Sequence, residues 1–215
     1  MRQEEKQKKQ QKHNKTKEEE KVITKVTNNN VIEKERHTNL NTKDIAMIAV
    51  CSAVMAVCSW ISIPAAIPFT LQTFGVFLTI GLLGGRNGNI SVLVYLLLGA
   101  VGLPVFAGFS GGIGVLFGAT GGYIIGFQFS ALVMWLMEAV FGRSYKVLIL
   151  SMIAGLLVCY TFGTAWFMVV YTRDTGSVGI LTALSWCVFP FIIPDAIKIS
   201  MAAVLTRRIR PLINR

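Results

Sequence analysis

From about residue 45 onward the chain consists of long apolar runs separated by short polar breaks or breaks bearing glycine and proline. Six runs stand out, at roughly 45–63, 68–85, 89–106, 119–141, 147–171 and 179–206. A helix needs about 20 mostly apolar residues to cross the hydrocarbon core of a bilayer. Within that core each backbone N–H and C=O must find a partner inside the protein, which an α-helix supplies. The pattern predicts an all-α membrane protein with six transmembrane helices in one domain, residues 44–215. The second and third runs are short by this measure and are joined tightly through "GRNGN" (85–89).

Residues 1–43 have a different character. They hold 12 Lys/Arg and 7 Glu, an "NNN" run and few large apolar side chains. Such a segment cannot bury enough apolar surface to order itself and reads as a disordered polar N-terminal tail. No apolar core follows its basic start until residue 45, so it is not read as a secretory signal peptide. Glu residues interrupt the positive charge and no aromatics interleave it, which argues against nucleic-acid binding and for a solvated tail near anionic lipid headgroups.

Basic residues set the expected orientation. Six spans put both termini on one side, and the tail ending at Lys43 and the C-terminal "TRRIRP" are both basic. Both termini are therefore expected in the cytoplasm, with Arg86, Arg143 and Lys146 in the connections on that side. The outer connections, around 64–67, 107–118 and 172–178, carry Arg173 alone, beside Asp174.

Little catalytic chemistry is available. Both histidines, His13 and His37, lie in the tail, so the membrane domain has no His-ligated metal site and no His-based dyad. Cys51, Cys58, Cys159 and Cys187 fall inside spans without a CxxC pair and read as free apolar thiols. No G-x-x-x-x-G-K-[ST] loop is present, so nucleotide hydrolysis of the P-loop kind must come from elsewhere. No resident cofactor or metal is expected, and an intramembrane enzyme would have to work with Asp195 and Lys198 almost alone. Nor do the first three spans resemble the last three, as the halves of a stand-alone secondary transporter commonly do. A binding subunit that draws energy from partners fits better.

Asp195 and Lys198, in "FIIPDAIKIS" (191–200), are the charges that need explaining. Near the middle of a span each costs roughly 2.5–3.5 kcal/mol on insertion scales. Three residues apart on a helix, they share a face and can pair. A purely structural ion pair is one reading. The neighbouring Pro190 and Pro194 favour another, in which a broken helix frees carbonyls beside the charges and lines a cavity. A second polar region spans "GLPVFAGFSGGIGVLFGATGGYIIGF" (102–127), too rich in glycine for a continuous helix. Thr120 is a plausible N-cap for the fourth span, and the stretch before it reads as a lid over a site. Close helix packing is the alternative use of these glycines.

"IPFTLQTFGVFL" (67–78), "LLLGAVGLPVFAGFSGG" (96–112), "GATGGYIIGF" (118–127) and "PDAIK" (194–198), in this order and spacing, resemble the BioY family. BioY proteins are biotin-specific substrate-binding subunits, or S-components, of energy-coupling factor (ECF) transporters. The resemblance implies a six-helix S-component bundle in a bacterial plasma membrane that captures biotin from outside. It also implies a membrane coupling subunit and two cytoplasmic ATPases as partners. Carried over by position, the implied binding residues are Asp195 and Lys198, Gln72, Tyr123, and Ser110, Gly111 and Gly112 of the lid. Two departures stand out: some members have Asn at the position of Ser110, and Arg at that of Ile124. Without that Arg, Lys198 is the buried cation available to the ligand. Ala119 stands where Pro is common.

Biotin's chemistry suits these residues. Asp195 can accept from the ureido nitrogens, and Lys198 can donate to the ureido oxygen or to the carboxylate. Trp60, Phe109 and Tyr123 are candidates to pack on the ring. Rival readings are an S-component for another small vitamin or biotin-like compound, and a stand-alone ion-coupled carrier. In "IAMIAVCSAVMAV" (45–57), Ala49 and Ala53 are four apart, with Ala46 and Ala56 on or beside the same stripe. Small residues so spaced let helices approach closely in lipid. The resemblance implies that this stripe docks on the coupling subunit, and packing within the bundle is the alternative.

The orientation is directly testable. Single cysteines replacing Ser110 and Lys146, in a background freed of native Cys, should label from opposite sides of the membrane, with biotin protecting only the first. Labelling of both from one side would contradict six spans with both termini inside.

Overall fold

A computed structural model describes residues 41–64 and 67–213. The tail expected over 1–43, apart from its last three residues, lies outside the described residues. Helix α1 runs over Thr42–Trp60, followed by a short antiparallel hairpin, β1 (Ser62–Ile63) and β2 (Phe69–Thr70). Then come α2 (Gln72–Leu83) and α3 (Gly85–Ala100), and a loop containing a 3-10 turn, Ala107–Phe109, and the five-residue α4 (Ile113–Phe117). The chain continues with α5 (Gly121–Phe141), α6 (Tyr145–Thr175) and α7 (Ile180–Cys187). A 3-10 turn, Phe189–Phe191, leads into α8 (Ile192–Ile213).

The six expected apolar segments therefore appear in order as helices, with two differences in length and one in continuity. Four segments, Thr42–Trp60, Gly121–Phe141, Tyr145–Arg173 and Ile180–Ile213, are long and apolar enough to cross a membrane. Helix α2, with 12 residues, and α3, with 16, are shorter. At 1.5 Å per residue they reach only about 18 and 24 Å, against a hydrocarbon core of about 30 Å. The run expected to be helical from 68 instead begins as β2, paired in the register Ser62↔Thr70 and Ile63↔Phe69. The last run is broken between α7 and α8.

Polar contacts and small residues hold the helices together. Burying apolar side chains gives little association energy in lipid, so close packing and interhelical hydrogen bonds carry the load. Ser52 of α1 and Ser91 of α3 approach to 3.0 Å, and Ser91 Oγ donates to Ile48 O at 3.0 Å. Ser130 of α5 donates to Gly155 O of α6 at 2.6 Å. Gln128 of α5 bonds Asn89 of α3. A Cβ at Gly81 would strike Thr206 of α8, and one at Gly163 would strike the Tyr123 ring. The core around these contacts is built from Met55, Val76, Phe77, Tyr95, Phe106 and Ala131.

One end of the bundle gathers the two ends of the described chain and most of its positive charge. Lys43 Nζ donates to Ile213 O at 2.7 Å, so the start of α1 meets the end of α8. At this end Gly84, at φ 83°, separates α2 from α3. Glu138 is more than a solvated carboxylate here. Its Oε2 accepts from Gly85 N at 2.8 Å, capping α3, and its Oε1 pairs with Arg143 Nε at 2.7 Å. Ser144 caps α6, its Oγ accepting from Val147 N at 3.3 Å. The opposite end carries the hairpin and the glycine-rich loop. Trp60 there stacks on Phe109, with centroids 5.1 Å apart, and donates to Pro104 O at 2.7 Å.

Candidate ligand-binding site

The break in the last apolar run positions the site. Val188 leaves helical geometry (φ −125°, ψ −55°), Pro190 sits in the following 3-10 turn, and a new helix begins at Ile192. Pro190 thus interrupts the run as expected, but Pro194 does not. It lies in the first turn of α8, where a backbone N–H has no intrahelical partner to lose. Asp195 occupies the same first turn, where a negative charge is favoured by the helix dipole. Lys198 follows one turn later.

Both charges are deeply buried, Asp195 at 2% exposure and Lys198 at 7%. Lys198 Nζ donates to Asp195 Oδ1 at 2.7 Å, the pairing expected from the three-residue spacing. The other oxygen, Oδ2, accepts from Tyr160 Oη of α6 at 2.5 Å. Two donors from two helices therefore fix one carboxylate, which retains lone pairs for further donors.

These groups line a cavity of about 70 Å3. Its floor and sides come from α2, α5, α6 and α8, and its other walls from the hairpin and the end of α7. Gln72 and Tyr123 line it, beside apolar Ile67, Phe127, Leu156 and Phe191. Gln72 Nε2 donates to Tyr95 Oη at 2.6 Å, and Tyr95 Oη donates to Val105 O at 3.0 Å, tying α2 and α3 to the loop. Tyr123 Oη bonds Thr164 Oγ1 at 2.8 Å, which sets its ring against α6.

The other expected contacts fall elsewhere. Ser110, Gly111 and Gly112 are absent from the described cavity wall, to which the loop contributes Ala107 and Thr120. They shape the loop instead: Ser110 Oγ donates to Ala107 O at 2.8 Å, and Gly112 N donates to Gly99 O at 2.7 Å. Gly111 lies so close to Leu103 O that a Cβ would clash with it. Trp60 and Phe109 stack on each other outside the wall, which leaves Tyr123 as the expected ring partner that lines it. Helix α5 begins at Gly121 with Thr120 in the N-cap position, but the Thr120 side chain makes no capping bond. Sequence reasoning missed Tyr160, since a lone tyrosine inside an apolar run carries no sign of the direction it faces. It also did not place Cys159 and Cys187 in the wall; all four cysteines are free and buried.

The sequence profile of the BioY family matches residues 31–215. A probable biotin transporter BioY from Pyrococcus horikoshii is 38% identical over 172 residues, covering 80% of this chain and 98% of that protein. The biotin transporter BioY of Thermotoga maritima is 40% identical over 171 residues, covering 79% of this chain and 97% of its own length. Among solved structures, the S-component for biotin from an ECF-type ABC transporter superimposes with a TM-score of 0.70 at 25% identity. That superposition covers 80% of this chain and 95% of the other.

The buried pair has a stability consequence independent of any ligand. Lys198→Met leaves the Asp195 carboxylate buried without its cation, a change typically worth about 3–5 kcal/mol. Asp195→Asn combined with Lys198→Met removes both charges and should recover much of that loss. Unfolding temperatures of the detergent-solubilised variants measure it, and a double variant no more stable than Lys198→Met would show that the charges do not act as a pair.

Proposed function

This chain belongs to the BioY family, and from that membership we propose that it is the biotin-binding membrane subunit of an ATP-driven vitamin importer. The carrying observation is the anchored carboxylate of Asp195 in a mostly apolar cavity. A carboxylate has about four lone-pair positions, and Tyr160 and Lys198 use two of them. One of the remainder matches an N–H donor of biotin's cyclic urea, on the edge that also presents the ureido oxygen. Lys198 has unused donors for the ureido oxygen. Tyr123, Phe127 and Phe191 offer apolar surface for the fused rings. Gln72 supplies a further polar group at the wall, while Ser110, Gly111 and Gly112 act through the shape of the loop.

Two features support the wider assembly. Ala46, Ala49 and Ala53 are exposed on α1 together with Val50, Val54 and Val57, whereas Ile48, Ser52, Met55 and Ala56 face the bundle. Ala56 thus leaves the expected stripe, and the other three alanines form an outward face that the bundle does not use. We assign it to docking on a transmembrane coupling subunit, which brings two cytoplasmic ATPases. Basic residues Lys43, Arg86 and Arg143 at the end shared by the chain's two ends support a cytoplasmic location for that end. Biotin would then enter from outside, beneath the loop between α3 and α5.

Asp195→Ala and Lys198→Ala should each weaken biotin binding at least tenfold, about 1.4 kcal/mol, measured on the folded, monodisperse fraction. Their double variant should lose less than the sum. Near-normal affinity in that fraction would place the ligand elsewhere.

Docking gives a separate outcome. Ala49→Trp with Ala53→Trp should abolish uptake by the assembled transporter and leave biotin binding by the isolated subunit nearly intact. Loss of both would make this face internal.

A further inference from the structure

The cavity's charge balance bears on which part of the ligand is recognised. Among the described residues that line it, Asp195 is the acid and Lys198 the base. They are joined at 2.7 Å on successive turns of one helix, both nearly inaccessible. The site is therefore neutral before any ligand arrives. The one cation in the wall is already paired, so a ligand's carboxylate gains no ion pair of its own from the site.

Among the described residues, no other cation lines the cavity. Position 124, in the cavity wall next to Tyr123, is an isoleucine. What the wall offers beside the loop is neutral: the hydroxyls of Thr70, Thr73 and Thr120. Thr120 makes no cap bond to α5, and Thr70 Oγ1 accepts from Gln72 N at 3.2 Å, which leaves its O–H to donate. A hydroxyl donor serves an amide or ester carbonyl as well as it serves a carboxylate oxygen.

We propose that this site reads the fused-ring end of biotin and not the charge of its acid, so that uncharged carboxyl derivatives, amides and esters, are ligands of the same standing as the free acid. The proposal rests on the biotin reading above and extends it to a ligand class. It follows that the valerate end lies among neutral hydroxyls and that no ion pair forms between ligand and protein.

The test is competition against radiolabelled biotin on the purified full chain in detergent at neutral pH, with biotin, biotinamide and biotin methyl ester as competitors. Dissociation constants for the amide and the ester within about fivefold of that for biotin are the expected result. A larger loss for both, with biotin itself binding tightly, would overturn the proposal and leave the biotin assignment standing. Failure of unlabelled biotin to compete, or of labelled biotin to bind, would overturn the assignment and the proposal together.

Discussion

A charge in a membrane interior persists only where the protein supplies its solvation, and the arrangement of this bundle follows from that constraint at Asp195. The carboxylate sits in the first turn of a helix, takes a proton donor from α6 through Tyr160 and a cation from its own helix through Lys198. Each contribution depends on another piece of architecture. The first turn exists because the last apolar run breaks between Val188 and Phe191. Tyr160 reaches the carboxylate because α6 packs along α5 through glycines and a serine–carbonyl bond, at Gly126, Gly155 and Ser130. The result is a polar point with residual acceptor capacity inside an otherwise apolar cavity.

The rest of the bundle holds that cavity in place. Tyr95 links Gln72 at the start of α2 to Val105 in the loop, and Ser59 donates to the same Val105 carbonyl at 2.5 Å. Phe106 is wholly buried against Tyr95, edge to face at 5.6 Å. The loop is thus anchored from beneath at Val105 and Phe106 and clasped from the side by the stacked Trp60 and Phe109. Phe109 itself adopts φ 55°, a conformation unfavourable for a bulky side chain. The clasp and the hydrogen bonds around it compensate for that strain.

Much of this was legible from the chain alone, because bilayer thickness and hydrophobicity act on runs of residues and leave a long-range pattern. The helical segments, the shared face of Asp195 and Lys198, and the start of α5 at Gly121 all follow from spacing. What stayed hidden depends on direction or on three-dimensional closure. Ile61 to Phe69 is apolar enough to pass for connection and helix, yet part of it pairs as a hairpin. Pro194 reads as a breaker until the helix start is known to precede it by two residues. Which loop residues reach the cavity is set by tertiary anchors at Gly99 and Tyr95, so Ala107 and Thr120 line it in place of Ser110 and its neighbours. Tyr160 is the sharpest case, since nothing local separates it from any other aromatic in a span.

The central claim is that biotin's cyclic urea is held by Asp195 between the donors Tyr160 and Lys198. An experimental structure of the purified chain with biotin bound tests it most directly. The account predicts the ureido ring within hydrogen-bond distance of the Asp195 carboxylate, with Lys198 still paired to Asp195 and the rings against Tyr123 and Phe191. Biotin seated away from Asp195, with the Asp195–Lys198 pair intact and sealed from it, would contradict the account and reduce the pair to a structural element of the bundle.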